Sequence, residues 1–186
     1  MSELEKNPWT VQHQQTVYET PWIRVDHHDV LNAAGNPGVY GTVHFKNYAI
    51  GILALDEEMN TWLVGQYRFP LQTYTWEIPE GGGPVGKDPL ESAQRELLEE
   101  VGVTAKNWKL IQQLQLSNSA TDEVAFLYLA TGLSFQQAQP DEGEVLQLKK
   151  IPFEELYQLV KRGEITDSLS VAAVLKVKLM QQEGEL

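Results

Sequence analysis

The segment Lys87–Val101 can fold into little other than a helix, and its flanks constrain much of the remaining chain. Asp88 can cap the free N–H groups of the first turn, and Pro89 suits the first helical position, where a missing N–H costs nothing. Leu90, Ala93, Leu97 and Val101 recur on one face at helical spacing. Gly102 can take the left-handed conformation that ends a helix. Upstream lies a loop, Gly81-Gly82-Gly83-Pro84, of a kind that lets backbone approach another group closely. Tyr74–Pro79 reads as a short strand feeding that loop.

The other face of the helix carries acids. With about 100° per residue and Glu96 at zero, Glu99 lies near about −60° and Glu100 near about +40°. The apolar set occupies roughly +60° to +140°. Glu96, Glu99 and Glu100 therefore share one ridge beside the buried face. Like charges at this spacing destabilise a helix by a few tenths of a kcal/mol, and more where burial weakens screening. Arg95 can offset part of this, and a divalent cation would offset far more. Carboxylates suit a hard ion such as Mg2+ or Mn2+. An ordinary solvated acidic helix face is the alternative.

The first seventy residues or so read as β structure, mostly antiparallel hairpins, after a loosely held polar tail of about fourteen residues. Thr16–Val30 is broken at Thr20-Pro21, Asn32–Gly38 is a loop, and strands follow at Val39–Phe45, Ala49–Leu55 and Thr61–Phe69, with a turn at Asp56–Asn60. Beyond the helix come strands at Trp108–Leu116, Glu123–Ala130 and Val145–Lys149, an acidic loop at Gln136–Glu144, and helices near Pro152–Arg162 and Ser168–Gln181. The last helix carries Val171, Val174, Leu175 and Leu179 for core or dimer contact. The class is α/β with a mixed sheet and few helices, without the regular alternation of a doubly wound fold.

The chain has 186 residues, which fits one moderate domain or one with an appendage. It carries 26 acids against 14 bases, a formal charge of −12, so general nucleic-acid binding and docking on anionic lipid are not expected. There is no cysteine, which excludes disulfide scaffolds, thiolate nucleophiles and iron–sulfur clusters. No apolar run reaches about 18 residues and no signal peptide is visible at the N-terminus, so no membrane contact and a cytoplasmic location are expected. His27 and His28 would face opposite sides of a strand and could not chelate together; they, and His44, read as structural.

The run from Gly81 to Val103 resembles the Nudix box, Gly-x5-Glu-x7-Arg-Glu-U-x-Glu-Glu-x-Gly-U with U aliphatic. Gly81, Arg95, Glu96, Leu97, Glu99, Glu100, Gly102 and Val103 fall in register, and Lys87 stands where the family has its first glutamate. The resemblance implies the Nudix α/β/α sandwich with a mixed β-sheet. It also implies a metal-dependent cleavage of a nucleoside diphosphate linked to another moiety. By position, Glu96 and Glu100 resemble the metal carboxylates, Glu99 belongs to the same network, and the carbonyl of Glu80 matches a backbone ligand. Lys87 leaves the number of metals open; Glu77 is a candidate substitute, or else the ion-pair partner of an arginine such as Arg68.

Flanking segments resemble the branch that hydrolyses ADP-ribose and nucleoside diphosphate sugars: Tyr18–Val25, Gly65–Arg68, Trp76–Gly82 and Gly163–Asp167. That likeness implies a nucleotide-sugar substrate and a homodimer formed through an N-terminal β-arm, residues 1–48, ahead of a hydrolase domain, residues 49–186. It implies a general base on a loop after the box, with Glu142 first and Glu144 second. Arg68 would contact phosphate or orient Glu77, Arg24 would reach phosphate across the dimer, and Tyr18 and Trp22 would stack on the base or serve an interface. Other nucleotides, such as nucleoside triphosphates or dinucleoside polyphosphates, and a non-catalytic sensor are the alternatives.

Overall fold

The computed structural model describes residues 6–138 and 145–186. The chain divides into two compact units, one of Met1–Asn47 with Gln115–Glu123, the other of Tyr48–Leu114 with Val124–Leu186.

The first unit is an antiparallel sheet in the order β1 (Thr10–Glu19), β2 (Ile23–Leu31), β3 (Pro37–Phe45). Residues 10–14, expected in a loose tail, are already paired: Thr10 faces Leu31 and Val11 faces Val30. Every residue of β1 is exposed. Backbone pairing rather than burial makes this strand, so hydrophobic patterning could not reveal it. Asn32 closes the β2–β3 turn by accepting from the N–H groups of Ala34 and Asn36, with Gly35 at φ +80°. The connection 115–123 lies along β3, where Val43 N–H donates to the Ala120 carbonyl at 2.9 Å.

The second unit holds two sheets. One has the order β7 (Glu80–Pro84), β4 (Asn47–Ala54), β9 (Val124–Phe135), β8 (Val103–Gln115); β4 and β9 run parallel. The other is antiparallel, in the order β10 (Gln147–Pro152), β5 (Asn60–Arg68), β6 (Thr73–Glu77). The glycine run expected as a loop is itself strand β7.

Alternation along β4 sorts the helices onto two faces. Ile50, Ile52 and Ala54 pack with Ala93, Leu97 and Val101 of α1 (Pro89–Val101). Gly51 points the other way, where a Cβ would lie 3.3 Å from Leu169 of α3 (Ser168–Glu183). A strand layer between α1 and α3 is the α/β/α sandwich. Its energetics favour α1 clearly: truncating a fully buried leucine such as Leu97 costs about 2–5 kcal/mol, against tenths for each like-charge pair on the ridge.

Helix α2 (Phe153–Lys161) buries Phe153 and Leu156. Helix α3 buries Leu169, Ala173, Val174, Val177 and Met180. Of the stripe expected there, Val174 is core, whereas Leu175 and Leu179 are exposed. The core face starts at Leu169, in the first turn, and that offset rotates the buried stripe. Among the described residues no helix is long and apolar enough to cross a membrane.

Candidate active site on the acidic helix

Helix α1 forms as its caps dictate. Asp88 accepts from Leu90 N–H at 3.0 Å, and Gly102 closes the helix at φ +70°. A Cβ at Gly102 would also lie 2.5 Å from the Gln136 carbonyl.

The ridge carboxylates are engaged with their surroundings. Arg95 spans two of them, with Nη2 2.6 Å from Oε1 of Glu96 and Nη1 2.6 Å from Oε2 of Glu99. It also donates from Nη2 to the Gly82 carbonyl at 3.0 Å. Glu100 is buried and accepts from the N–H of Glu80 at 3.0 Å. Strand β7 meets this helix through glycines. A Cβ on Gly81 would lie 2.5 Å from Cγ of Glu96, and one on Gly83 would lie 2.8 Å from Oγ of Ser92. The strand thus brings bare backbone against the acids. Such a donor set, carboxylates beside a strand carbonyl, suits a hard divalent cation. Lys87 is exposed, in the turn between β7 and α1.

A second polar group adjoins β7. Arg68, at the end of β5, grips the buried Glu77 through Nε, at 3.1 and 2.9 Å from its two oxygens, and through Nη2. Thr75 Oγ1 adds a bond to Glu77 at 2.6 Å. The hydrogen bonds to Glu77 strengthen Arg68's hold on its proton. Nη2 of Arg68 also lies 3.7 Å from Oε2 of Glu80.

Burial pushes the Glu80 carboxyl well above the usual carboxylate range, and its hydrogen bond with Asp167 adds to that. Burial would raise Asp167 too, but hydrogen bonds from Glu80 and Ser170 outweigh it and hold that group low. Of the two, Glu80 binds a proton the more tightly. Ser170 Oγ donates to Oε1 of Glu80 at 3.2 Å and accepts from Ile78 N–H at 3.0 Å. Asp167 caps α3 by accepting from Ser170 N–H at 2.7 Å.

The expected site residues thus fall into three sets. Glu96, Glu99, Glu100 and Glu80 gather at the α1–β7 contact, with Arg68 and Glu77 joined to Glu80. Tyr18, Trp22 and Arg24 belong to the N-terminal unit: Tyr18 and Trp22 are exposed, and Arg24 Nε is bonded to Asp26 at 3.1 Å. Glu142 and Glu144 lie outside the described residues. Sequence reading gave no role to Ser170 and none to the Asp167 carboxylate. The spacing Asp-x-x-Ser before an apolar run is a helix-cap signal that could have drawn attention to them.

An acidic helix packed on a glycine strand, within an α/β/α sandwich, is the arrangement that this chain brings to the comparison with known families. The family model that matches residues 46–172 is the NUDIX domain, and the chain belongs to the Nudix family of hydrolases. Residues 9–43 match the nucleoside diphosphate sugar hydrolase N-terminal domain. The chain is 37% identical over 133 residues to an ADP-ribose pyrophosphatase of Mycobacterium tuberculosis, covering 69% of this chain and 64% of that protein's length. It is 35% identical over 135 residues to a methanol dehydrogenase activator of Bacillus methanolicus, covering 72% of this chain and 73% of that one. A crystal structure of an ADP compounds hydrolase superposes with a TM-score of 0.84 at 22% identity, covering 96% of this chain and 97% of that one, which establishes the shared fold.

Proposed function

We propose that the protein hydrolyses the pyrophosphate bond of ADP-ribose or a nucleoside diphosphate sugar, giving a nucleoside monophosphate and a sugar phosphate. The observation that carries this reading is the α1–β7 contact, where Glu96, Glu99 and Glu100 line up against a strand whose Gly81 leaves backbone open. The N-terminal module match and the ADP-ribose pyrophosphatase relative support the substrate class.

In this reading Glu96, Glu99, Glu100 and the Glu80 carbonyl hold Mg2+, or Mn2+. Bound there, the ion would neutralise phosphate charge and acidify a water. This lets a chain of formal charge −12 accept an anionic substrate. Glu100 keeps β7 in place through its bond to the Glu80 N–H. Arg68, anchored by Glu77, offers cationic N–H groups toward phosphate. Glu142, or else Glu144, removes the proton from the attacking water. Tyr18 and Trp22 offer aromatic faces to the base, and Arg24 a guanidinium to phosphate, in a homodimer built through residues 1–48. Support for the dimer is a strand β1 exposed along its whole length, with Val11, Val17 and Tyr18 uncovered.

The test is a panel of ADP-ribose and of ADP-, GDP- and UDP-sugars with Mg2+ or Mn2+, its products separated by chromatography. Release of nucleoside monophosphate with sugar phosphate is expected. Cleavage of nucleoside triphosphates or dinucleoside polyphosphates, with no sugar phosphate from any substrate, would reject the substrate class. Tight binding without turnover would favour a sensor, the reading that Lys87 in the box supports.

A further inference from the structure

We infer that Asp26, His28 and His44 form a binding site for one divalent transition-metal ion, built entirely within the N-terminal unit. The sheet register creates it. Asp26 pairs with Thr42, His28 with Tyr40 and Arg24 with His44, so Asp26 and His28 share a face of β2 while Thr42 and His44 share that face of β3. One donor atom from each of Asp26, His28 and His44 lies within 4.8 Å of the others.

The hydrogen bonds around the trio orient it for a cation. Nδ1 of His44 lies 2.7 Å from Oδ2 of Asp122, and that carboxylate is itself fixed by the Phe45 N–H at 3.0 Å. A carboxylate accepts, so Nδ1 carries a hydrogen, and the ring turns its other nitrogen, Nε2, inward. There it faces Oδ2 of the buried Asp26 at 3.4 Å. With Nδ1 engaged by Asp122, Nε2 is the nitrogen left to meet a cation beside that oxygen. Histidine ligands of metals are oriented by a carboxylate on their other nitrogen in this same way.

His28 supplies an independent sign. Its Nε2 lies 2.8 Å from the hydroxyl of Thr42, and its Nδ1 is buried with no hydrogen-bond partner among the described residues. Thr42 Oγ1 is also 3.0 Å from Nε2 of His44. The Thr42 hydroxyl thus stands between the two imidazoles and ties them together. Asp26 is held rigidly by Thr16 Oγ1 at 2.8 Å, Gln14 Nε2 at 2.9 Å and Arg24.

Two imidazoles and one carboxylate suit Zn2+ and its first-row neighbours rather than Mg2+. Three protein ligands leave a position for water. The sheet also has need of such a staple: Val30 is the only buried hydrophobic among its described strand residues, and thin units of this kind gain much of their stability from bound metal or a partner.

The experiment uses the full chain, free of any histidine tag, stripped with chelator and returned to excess Mg2+. Titration with Co2+ and Zn2+ is followed by visible absorption and calorimetry. One ion per chain is expected, with Co2+ d–d bands. Glu96→Gln retains it, whereas His28→Gln and His44→Gln each weaken it at least about tenfold and Asp122→Asn by about 10–100-fold. Absence of binding in the wild type, or binding indifferent to both histidine substitutions, overturns the site. Circular dichroism checks the variants' fold. Imidazole 15N spectra of the wild type give a second reading that needs no variant: Zn2+ must shift the resonances of His28 and His44, and a shift confined to His13 or His27 overturns the proposal.

Discussion

Gly81 has no side chain because Glu96 fills the space where one would stand: a Cβ there would sit 2.5 Å from Cγ of Glu96 and closer still to its carboxyl carbon. Gly81→Ala should therefore push the Glu96 carboxylate off its position without unfolding the chain. Turnover should fall about a hundredfold, the scale of a misplacement near 1 Å in an active site. Steady-state kinetics alongside thermal melts check this; unimpaired turnover would detach Glu96 from the chemistry.

Glu100→Gln keeps an oxygen to accept the Glu80 N–H, so the α1–β7 contact should survive. What it loses is the negative charge. A drop in turnover of at least about a hundredfold is expected, with the melting temperature nearly unchanged. Full activity in Mg2+ would refute the metal assignment.

Arg68 and Glu77 are a buried-carboxylate pair, so removing the cation strands a charge. Arg68→Ala should cost about 3 kcal/mol in denaturant unfolding. The added change Glu77→Gln should restore part of that loss by neutralising the stranded group. Should the double variant prove no more stable than Arg68→Ala alone, the penalty lies elsewhere.

Burial and the Asp167 contact push the Glu80 carboxyl above the usual range and so favour its protonated form, which glutamine reproduces in shape and in donating to Asp167. Glu80→Gln should unfold within about 1 kcal/mol of the wild type. Glu80→Ala, which leaves Ser170 and Asp167 short of a partner, should be clearly less stable in the same measurement.

Asp56 supplies a pH prediction. Burial would raise its carboxyl, but hydrogen bonds from Lys150 and Asn60 prevail and lower it to about 2. A depressed carboxylate stabilises the fold above its unfolded pKa of about 3.9, and that contribution is lost as the pH falls toward the folded value. The stability difference between wild type and Asp56→Asn should hold steady near neutrality and shrink between about pH 4 and pH 2. A difference unchanged across that window would exclude the linkage.

Local signals made some of this legible in sequence. Helix α1 was readable in full, because Asp88, Pro89, the apolar spacing and Gly102 all act within one segment. Strand β1 was hidden in its first half, since a run exposed on every residue shows no periodic burial. Strand β7 was mistaken for a loop because glycine scores against strands, although here it serves close packing on Ser92 and Glu96. The Ser170–Glu80 bond joins residues ninety positions apart, and the Asp26–His28–His44 grouping needs the β2–β3 register. Neither leaves a mark in local sequence, and alternation alone, which correctly parts His27 from His28, gives no hint that His44 comes to meet the latter.

The excursion 115–123 along β3 means that the polypeptide enters the N-terminal unit twice. No single cut can separate the units cleanly: a fragment begun at Tyr48 would carry a stranded ribbon with its sheet removed, and the peptide before it would lose the lining that holds Val43 and His44. The two pieces are interlaced in the covalent chain itself, through the ends of β8 and β9 that lead into and out of residues 115–123.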